Sequence, residues 1–180
     1  MRSTWLLPAG FVPVALVAPA YAVQYLTVEQ AQQALFPEAS ELAPVAVELS
    51  AEQREAIESA SGVAVRTARQ EVWQATGAKG PLGWFIVDRV VGKHEFITYA
   101  LALDPQGAVR GLEIMDYRET YGGQIRDLSW RKQFQGKSFG APLRLDQDIR
   151  NISGATLSCR HVTDGVRRLL ALYHAVLRSR

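Results

Sequence analysis

The chain has one cysteine, Cys159, in 180 residues. That excludes an intramolecular disulfide, a multi-cysteine zinc site and a CxxCH haem attachment. It has almost no net charge: 20 Lys+Arg face 18 Asp+Glu, and no basic run exceeds two residues. The electrostatic footprint of a nucleic-acid surface is therefore missing. No Gly-x-Gly-x-x-Gly fingerprint for a nicotinamide cofactor occurs, and no serine sits in the motif context of a Ser-His-Asp hydrolase. Internal repeats and low-complexity linkers are lacking as well. What remains is an ordinary globular composition, 48% apolar and 21% charged, with a length that suits one core.

The first residues point to export. No charge stands between Arg2 and Glu29, and an apolar core of 14 residues runs from Trp5 to Ala18. It contains Pro8 and Pro13 and falls short of the roughly 20 residues that a spanning helix needs. Ala20 and Ala22 form the small-x-small pattern read by signal peptidase. The expectation is a signal peptide over residues 1–22, cleaved after Ala22, and a periplasmic protein; an uncleaved membrane anchor is the alternative. Cleavage removes one Arg and no acid, leaving 19 basic against 18 acidic residues. In an oxidising compartment the lone thiol is expected to be buried.

Residues 23–62 read as a helical lead-in. Thr27-Val28-Glu29-Gln30 and Ser50-Ala51-Glu52-Gln53 both fit the capping box S/T-x-x-E/Q. They predict helices over about 27–36 and 50–60, with Ala43–Leu49 extended between them. Strands follow: one or two within Ala64–Thr76, then Trp84–Val91, Glu95–Leu103 and Val109–Met115. Turns at 77–81, 92–94 and 104–107 separate them. At the C-terminus Val162, Val166, Leu169, Leu170, Tyr173, Val176 and Leu177 make one apolar stripe at helical spacing. The fold class is α+β: an antiparallel-rich sheet packed by a long C-terminal helix, with short N-terminal helices.

Two segments carry chemistry. Ile152-Ser153-Gly154-Ala155-Thr156-Leu157-Ser158 opens the last helix. A Gly-Ala pair permits close approach, and free N–H groups at a helix start beside two hydroxyls favour a phosphate. A plain Ser/Thr N-cap is the other reading of the same residues. The second segment is Tyr117-Arg118-Glu119-Thr120-Tyr121-Gly122-Gly123-Gln124-Ile125, continued by Trp130 to Phe134 and Gly136-Lys137.

Together these resemble the FMN-binding domain family, which includes the covalent-FMN subunits of the sodium-pumping NADH:quinone oxidoreductase and of the Rnf electron-transport complex. Ser-Gly-Ala-Thr is similar to the family's flavin attachment motif, and Glu119-Thr120-Tyr121-Gly122 to its Glu-Thr-x-Gly loop. The two stand in family order with 33 residues between Glu119 and Ser153. The resemblance covers roughly Trp73 to Leu177, within a domain over residues 63–180. It implies FMN as cofactor, esterified through its phosphate to Thr156 by a separate flavin transferase that consumes FAD. Ser153, Gly154, Ala155, Leu157 and Ser158 would form the surrounding turn, and Glu119, Thr120, Tyr121, Gly122 and Gly123 would line the ring. Tyr117, Tyr121 and Trp130 are the aromatic candidates for stacking or for core. Two departures stand out. Arg150 occupies the position, three before Ser153, where the family usually has an acid, with Asp148 two residues earlier. Glu-Thr-Tyr-Gly replaces Glu-Thr-Pro-Gly, which implies a small exported branch rather than a component of either large pump.

The expected function is an exported electron carrier rather than a self-sufficient enzyme, reduced by a membrane or periplasmic redox partner. The rivals are a stand-alone periplasmic reductase of a small acceptor and a flavin-free binding or sensory module. No catalytic or metal-ligating residue is assigned. Lys93-His94-Glu95 at a hairpin turn could supply a proton or steer an anion, with His94 the proton donor of the reductase reading, but a lone histidine shows no partner and a solvated turn is the preferred reading. Cys159 and His161, two apart on a helix, diverge. Glu119 reads as a loop anchor rather than an acid catalyst.

Overall fold

The structure is a computed structural model and describes residues 26–180. The expected signal peptide, residues 1–22, lies outside the described residues. Five strands form one antiparallel meander in the order β1-β2-β3-β4-β5. They are β1 (Glu41–Glu48), β2 (Arg69–Gly77), β3 (Gly80–Val91), β4 (Phe96–Leu103) and β5 (Val109–Tyr117). Helices α1 (Val28–Leu35), α2 (Ala51–Ser61), the short α3 (Leu128–Arg131) and α4 (Thr156–Ala175) complete the fold. The architecture is the α+β arrangement that the hydrophobic patterning predicts.

Both faces of the sheet are covered, which explains why β3 and β4 read as near-continuous apolar runs. On β4, Ile97, Tyr99, Leu101 and Leu103 point into the core under α4, while Ala100 and Ala102 point to the α1 side. On β3, Trp84 and Ile86 take the α4 face, and Phe85 and Val87 the other. Helix α1 approaches β5 closely at Gly111, where a Cβ would lie 2.7 Å from Leu35 Cδ2. Every residue of the C-terminal stripe is buried. The helix ends at Ala175, with Val176 as its cap and Leu177 in a following 3₁₀ turn.

Both capping boxes form: Thr27 with Gln30 at α1, and Ser50 with Gln53 at α2. The segment 23–62 is more than a lead-in, because it supplies strand β1, which pairs along its whole length with β2. Its α2 packs against α4, with Ile57 in the same core cluster. The region 64–76 resolves as irregular backbone followed by one strand, β2.

Candidate functional site

β5 delivers the first motif segment and α4 the second, and they meet at one end of the sheet. Tyr117 closes β5, is buried, and donates its hydroxyl to the Tyr121 carbonyl; it also lies 3.2 Å from Ser158 Oγ on α4. Gly122 has φ +88°, and a Cβ there would fall 2.4 Å from Ala155 Cβ. The loop backbone therefore presses directly on the turn before α4, at a contact that only glycine allows.

Between the two segments lies a cavity of about 360 Å3. Glu119, Thr120 and Tyr121 line it from the loop, and Gly154, Ala155, Thr156, Leu157 and Ser158 from the turn and first helical residues. Lys93 and His94, on the β3–β4 turn, close the third side. Three of the residues expected here lie elsewhere. Ser153 is exposed and outside this cavity, while Gly122 and Gly123 line a shallower hollow on the outer side of the loop, reached also by Thr120 and Tyr121. Lys93 and His94, for which a solvated turn is the preferred sequence reading, line the cavity because the β3–β4 pairing brings their turn alongside the loop.

The start of α4 is open. Its N-cap is Ala155, and no side chain caps it, in contrast to α1 and α2. The first helical bond runs from Cys159 N to Ala155 O at 2.9 Å. The N–H groups of Thr156, Leu157 and Ser158 thus have no protein acceptor among the described residues. The plain N-cap reading of these hydroxyls does not hold: Ser153 sits too early, and Thr156 lies inside the helix. Thr156 Oγ1 instead accepts from Asn151 Nδ2 at 3.1 Å, while Asn151 Oδ1 accepts from Ile152 N at 2.9 Å. Asn151 is a second residue that the motif did not reveal; its side chain fixes the hydroxyl that lines the cavity.

Glu119 is an anchor. Its Oε1 accepts the backbone N–H of His94 at 2.6 Å and of Glu95 at 3.0 Å. Burial raises its pKa, but the backbone donors of His94, Glu95 and Lys93 outweigh that and hold the carboxyl below its ordinary value. A Cβ on Gly92 would lie 2.5 Å from the same oxygen, so the turn closes tightly around the carboxylate. Asp148 is committed too: it accepts from Leu143 N, Arg144 N and Lys137 Nζ at 3.1, 2.6 and 3.0 Å. Burial pushes its pKa up, and these donors, Arg144 N foremost, pull it below the ordinary value. Asp148 therefore holds its own loop together and cannot replace the missing acid at Arg150. Arg150 is itself exposed, and only its backbone is engaged, donating to Gln133 Oε1 and accepting from Trp130 Nε1, each at 2.8 Å.

That last bond, with edge-on packing against Phe134, places Trp130 in the core rather than at the cavity. Tyr117 is buried likewise. Of the three aromatic candidates only Tyr121, 78% exposed, lines the cavity with its ring accessible to a flat ligand. Cys159 is fully buried, and burial pushes its thiol up in pKa, so it is inert packing. No group of three His, Cys, Asp or Glu residues able to hold a metal occurs among the described residues.

The donor set fits an anion joined to a flat aromatic body. Free helix-start N–H groups favour a phosphate, and a glycine-bearing loop with an exposed tyrosine suits a ring. The comparisons agree. Residues 92–171 match the family described as the FMN-binding domain. Among solved structures, the chain is similar to NqrC of Shewanella oneidensis, at 16% identity and a TM-score of 0.56, over 79% of this chain and 84% of that one. No curated protein matches the sequence. Both motif segments and the β3–β4 turn fall inside the matched span, and the cofactor of this family is FMN. Residues 92–171 thus match the FMN-binding domain family, and they sit on a sheet that the preceding strands complete.

Proposed function

We propose that this protein is an exported electron carrier whose FMN is esterified through its phosphate to Thr156. The observation that carries the proposal is the uncapped start of α4, with three free N–H groups beside a Thr156 hydroxyl that opens into the cavity. When bound there, FMN supplies one- and two-electron redox chemistry. The chain's own residues do the rest. The N–H groups of Thr156, Leu157 and Ser158 would hold the phosphate. Tyr121 would cover the ring, and Glu119 would keep the loop and the β3–β4 turn in register. Lys93, an exposed cation on the cavity wall, would favour the anionic cofactor.

Attachment requires a flavin transferase. The Thr156 oxygen forms a bond to the FMN phosphorus of FAD, the phosphoanhydride bond breaks, and AMP leaves with the proton. Asn151 already donates to that oxygen, which turns the Thr156 proton away from Asn151. A tether of this kind prevents cofactor loss in the periplasm, the compartment to which residues 1–22 would direct the chain. Electrons would arrive from a membrane or periplasmic partner. Among the described residues no helix is long and apolar enough to cross a membrane.

The test is the intact mass of the exported chain produced with a flavin transferase, beside Thr156→Ala. The expected result is a gain equal to FMN less one water, absent in the variant, on a chain beginning at residue 23. A yellow protein with unmodified mass would remove the ester and keep the flavin. Colourless, unmodified protein would overturn the carrier assignment.

A further inference from the structure

A second cleft, of about 350 Å3, lies across the β3–β4 turn from the flavin cavity. Its walls are the loop after α2, the end of β3 with Phe96 of β4, and the face of α4 that carries His161, Asp164, Gly165 and Arg168. Neither motif segment contributes to it, and no part of the flavin site uses it.

Its floor is a buried ion pair. Arg168 Nη2 donates to Asp88 Oδ2 at 2.6 Å, and the Tyr99 hydroxyl donates to the same oxygen at 2.5 Å. The side chains of Arg168 and Asp88 are only 10% and 8% exposed. The other N–H groups of the guanidinium have no acceptor among the described residues, although the side chain lines the cleft. None of these N–H groups is a buried unsatisfied atom, so they open from a largely buried guanidinium into the cleft, where they can donate to a bound acceptor. Gly165 makes this floor possible, because a Cβ there would lie 2.3 Å from the Tyr99 hydroxyl oxygen and 3.0 Å from Val90 Cγ1.

The rim adds a sign of charge and an apolar surface. Arg66 and Arg89 are exposed and have no partner among the described residues, while Asp164 is engaged by Arg167 at 2.8 Å. The acids of the cleft are thus paired and its outer cations are not. Phe96 and Val91, 59% and 43% exposed, put apolar side chains beside them.

We propose that this cleft binds a small organic carboxylate with an apolar body, its charged end on Arg168 with Arg66 and Arg89 at the rim, and its body against Phe96 and Val91. A planar carboxylate matches the guanidinium fork. Asp88, behind Arg168, opposes a multiply charged anion more than a monoanion, and inorganic phosphate would leave the apolar wall uncovered. The proposal does not depend on bound flavin, because no residue of the cleft belongs to the flavin cavity.

The test is a titration of the exported chain with benzoate, followed by amide shifts, with benzyl alcohol and inorganic phosphate as controls. Benzoate is expected to saturate and to move the amides of Gly165, Val91 and Phe96, with both controls at least tenfold weaker. Arg168 is held in a buried pair, so the exposed rim is substituted instead. Arg66→Ala with Arg89→Ala should weaken benzoate about fivefold, the scale of two exposed charges. Phe96→Ser should weaken benzoate severalfold and leave phosphate unchanged. Absence of saturable shifts, equal binding of either control, or shifts confined to Gly154, Thr156 and Leu157 would each overturn the proposal.

Discussion

Replacing Gly122 by alanine tests whether the two motif segments form a single rigid seat. At φ +88° an L-residue costs about 1–2 kcal/mol in backbone conformation alone. The new Cβ would also lie 2.4 Å from Ala155 Cβ, 2.7 Å from the Tyr117 hydroxyl oxygen and 3.1 Å from Ala155 Cα. Carbon contacts prefer about 3.5–4.0 Å, so something must move by about an ångström, at an overpacking cost of about 1–3 kcal/mol. The sum is about 2–5 kcal/mol if the loop stays seated on α4. The loop can escape by lifting away, but it then gives up the Tyr117–Tyr121 bond and opens the cavity. Gly123→Ala is the internal control. Its Cβ would meet only the far end of the Arg126 side chain, at 3.3 Å, so a loss of no more than about 0.5 kcal/mol is expected. Urea unfolding followed by circular dichroism measures the first quantity, and the flavin fluorescence of the loaded chain, which rises as the ring becomes exposed to solvent, measures the second. If Gly122→Ala matches Gly123→Ala in both, the close contact does not build the site and the reasoning is wrong.

Gly165→Ala should lower the thermal midpoint, although alanine gains about 1 kcal/mol of helix propensity over glycine, because its Cβ would drive into the Tyr99 hydroxyl; a raised midpoint refutes this. Glu119→Gln should destabilise by about 1–2 kcal/mol and speed hydrogen exchange at the His94 and Glu95 amides, and unchanged exchange there would contradict the anchor role. Glu119 and Asp148 both have pKa values below the ordinary carboxylate range, so the fold prefers their ionised forms. Their contribution is complete above about pH 5 and drains away as the pH falls below about 4; Asp148→Asn should flatten this acid limb of the stability curve. Arg150→Asp should leave unfolding unchanged, since only the backbone of that residue is bonded, and should raise the esterified fraction by mass; an unaltered fraction would show that the transferase does not read this position.

Much of this fold was legible because its signals are local. The capping boxes at Thr27 and Ser50, the turns between strands and the stripe on α4 each lie within a few residues of what they specify. The boundaries of β2 were not legible, because residues 64–68 carry the same residue types as the strand and only pairing separates them. At the site, the glycine loop and the Ser-Gly-Ala-Thr turn were visible as motifs, but their contact was not. It arises from the positive φ of Gly122 and from Tyr117 reaching Ser158, 41 residues away. Lys93 and His94 were visible only as a turn with an unpartnered histidine, and Asn151 not at all; strand pairing and side-chain geometry bring them to the site. Trp130 was ambiguous in sequence because a tryptophan a few residues after the Gly122-Gly123 loop suits a stacking surface and a core equally; its indole bond to the Arg150 carbonyl decides for the core.

The contrast among the helix starts ties the fold to the chemistry. Helix α1 packs on β5 and α2 on α4, each with few buried residues, and each closes its first turn with a full capping box. Helix α4 buries twelve residues and carries the largest share of the core, yet its first turn is closed by nothing. A missing cap costs about 1 kcal/mol, and a chain that can place Ser, Thr and Gln correctly at two helices does not lack the residues to place them at a third. The long core-packed body of α4 can sustain an open end that a short helix could not. In return, a group bound at that end is positioned by the same packing that defines the core. Local rules break most tellingly where a structure has a use for the break. Here the break falls at Thr156, beside the one loop that the Gly122–Ala155 contact fixes against it.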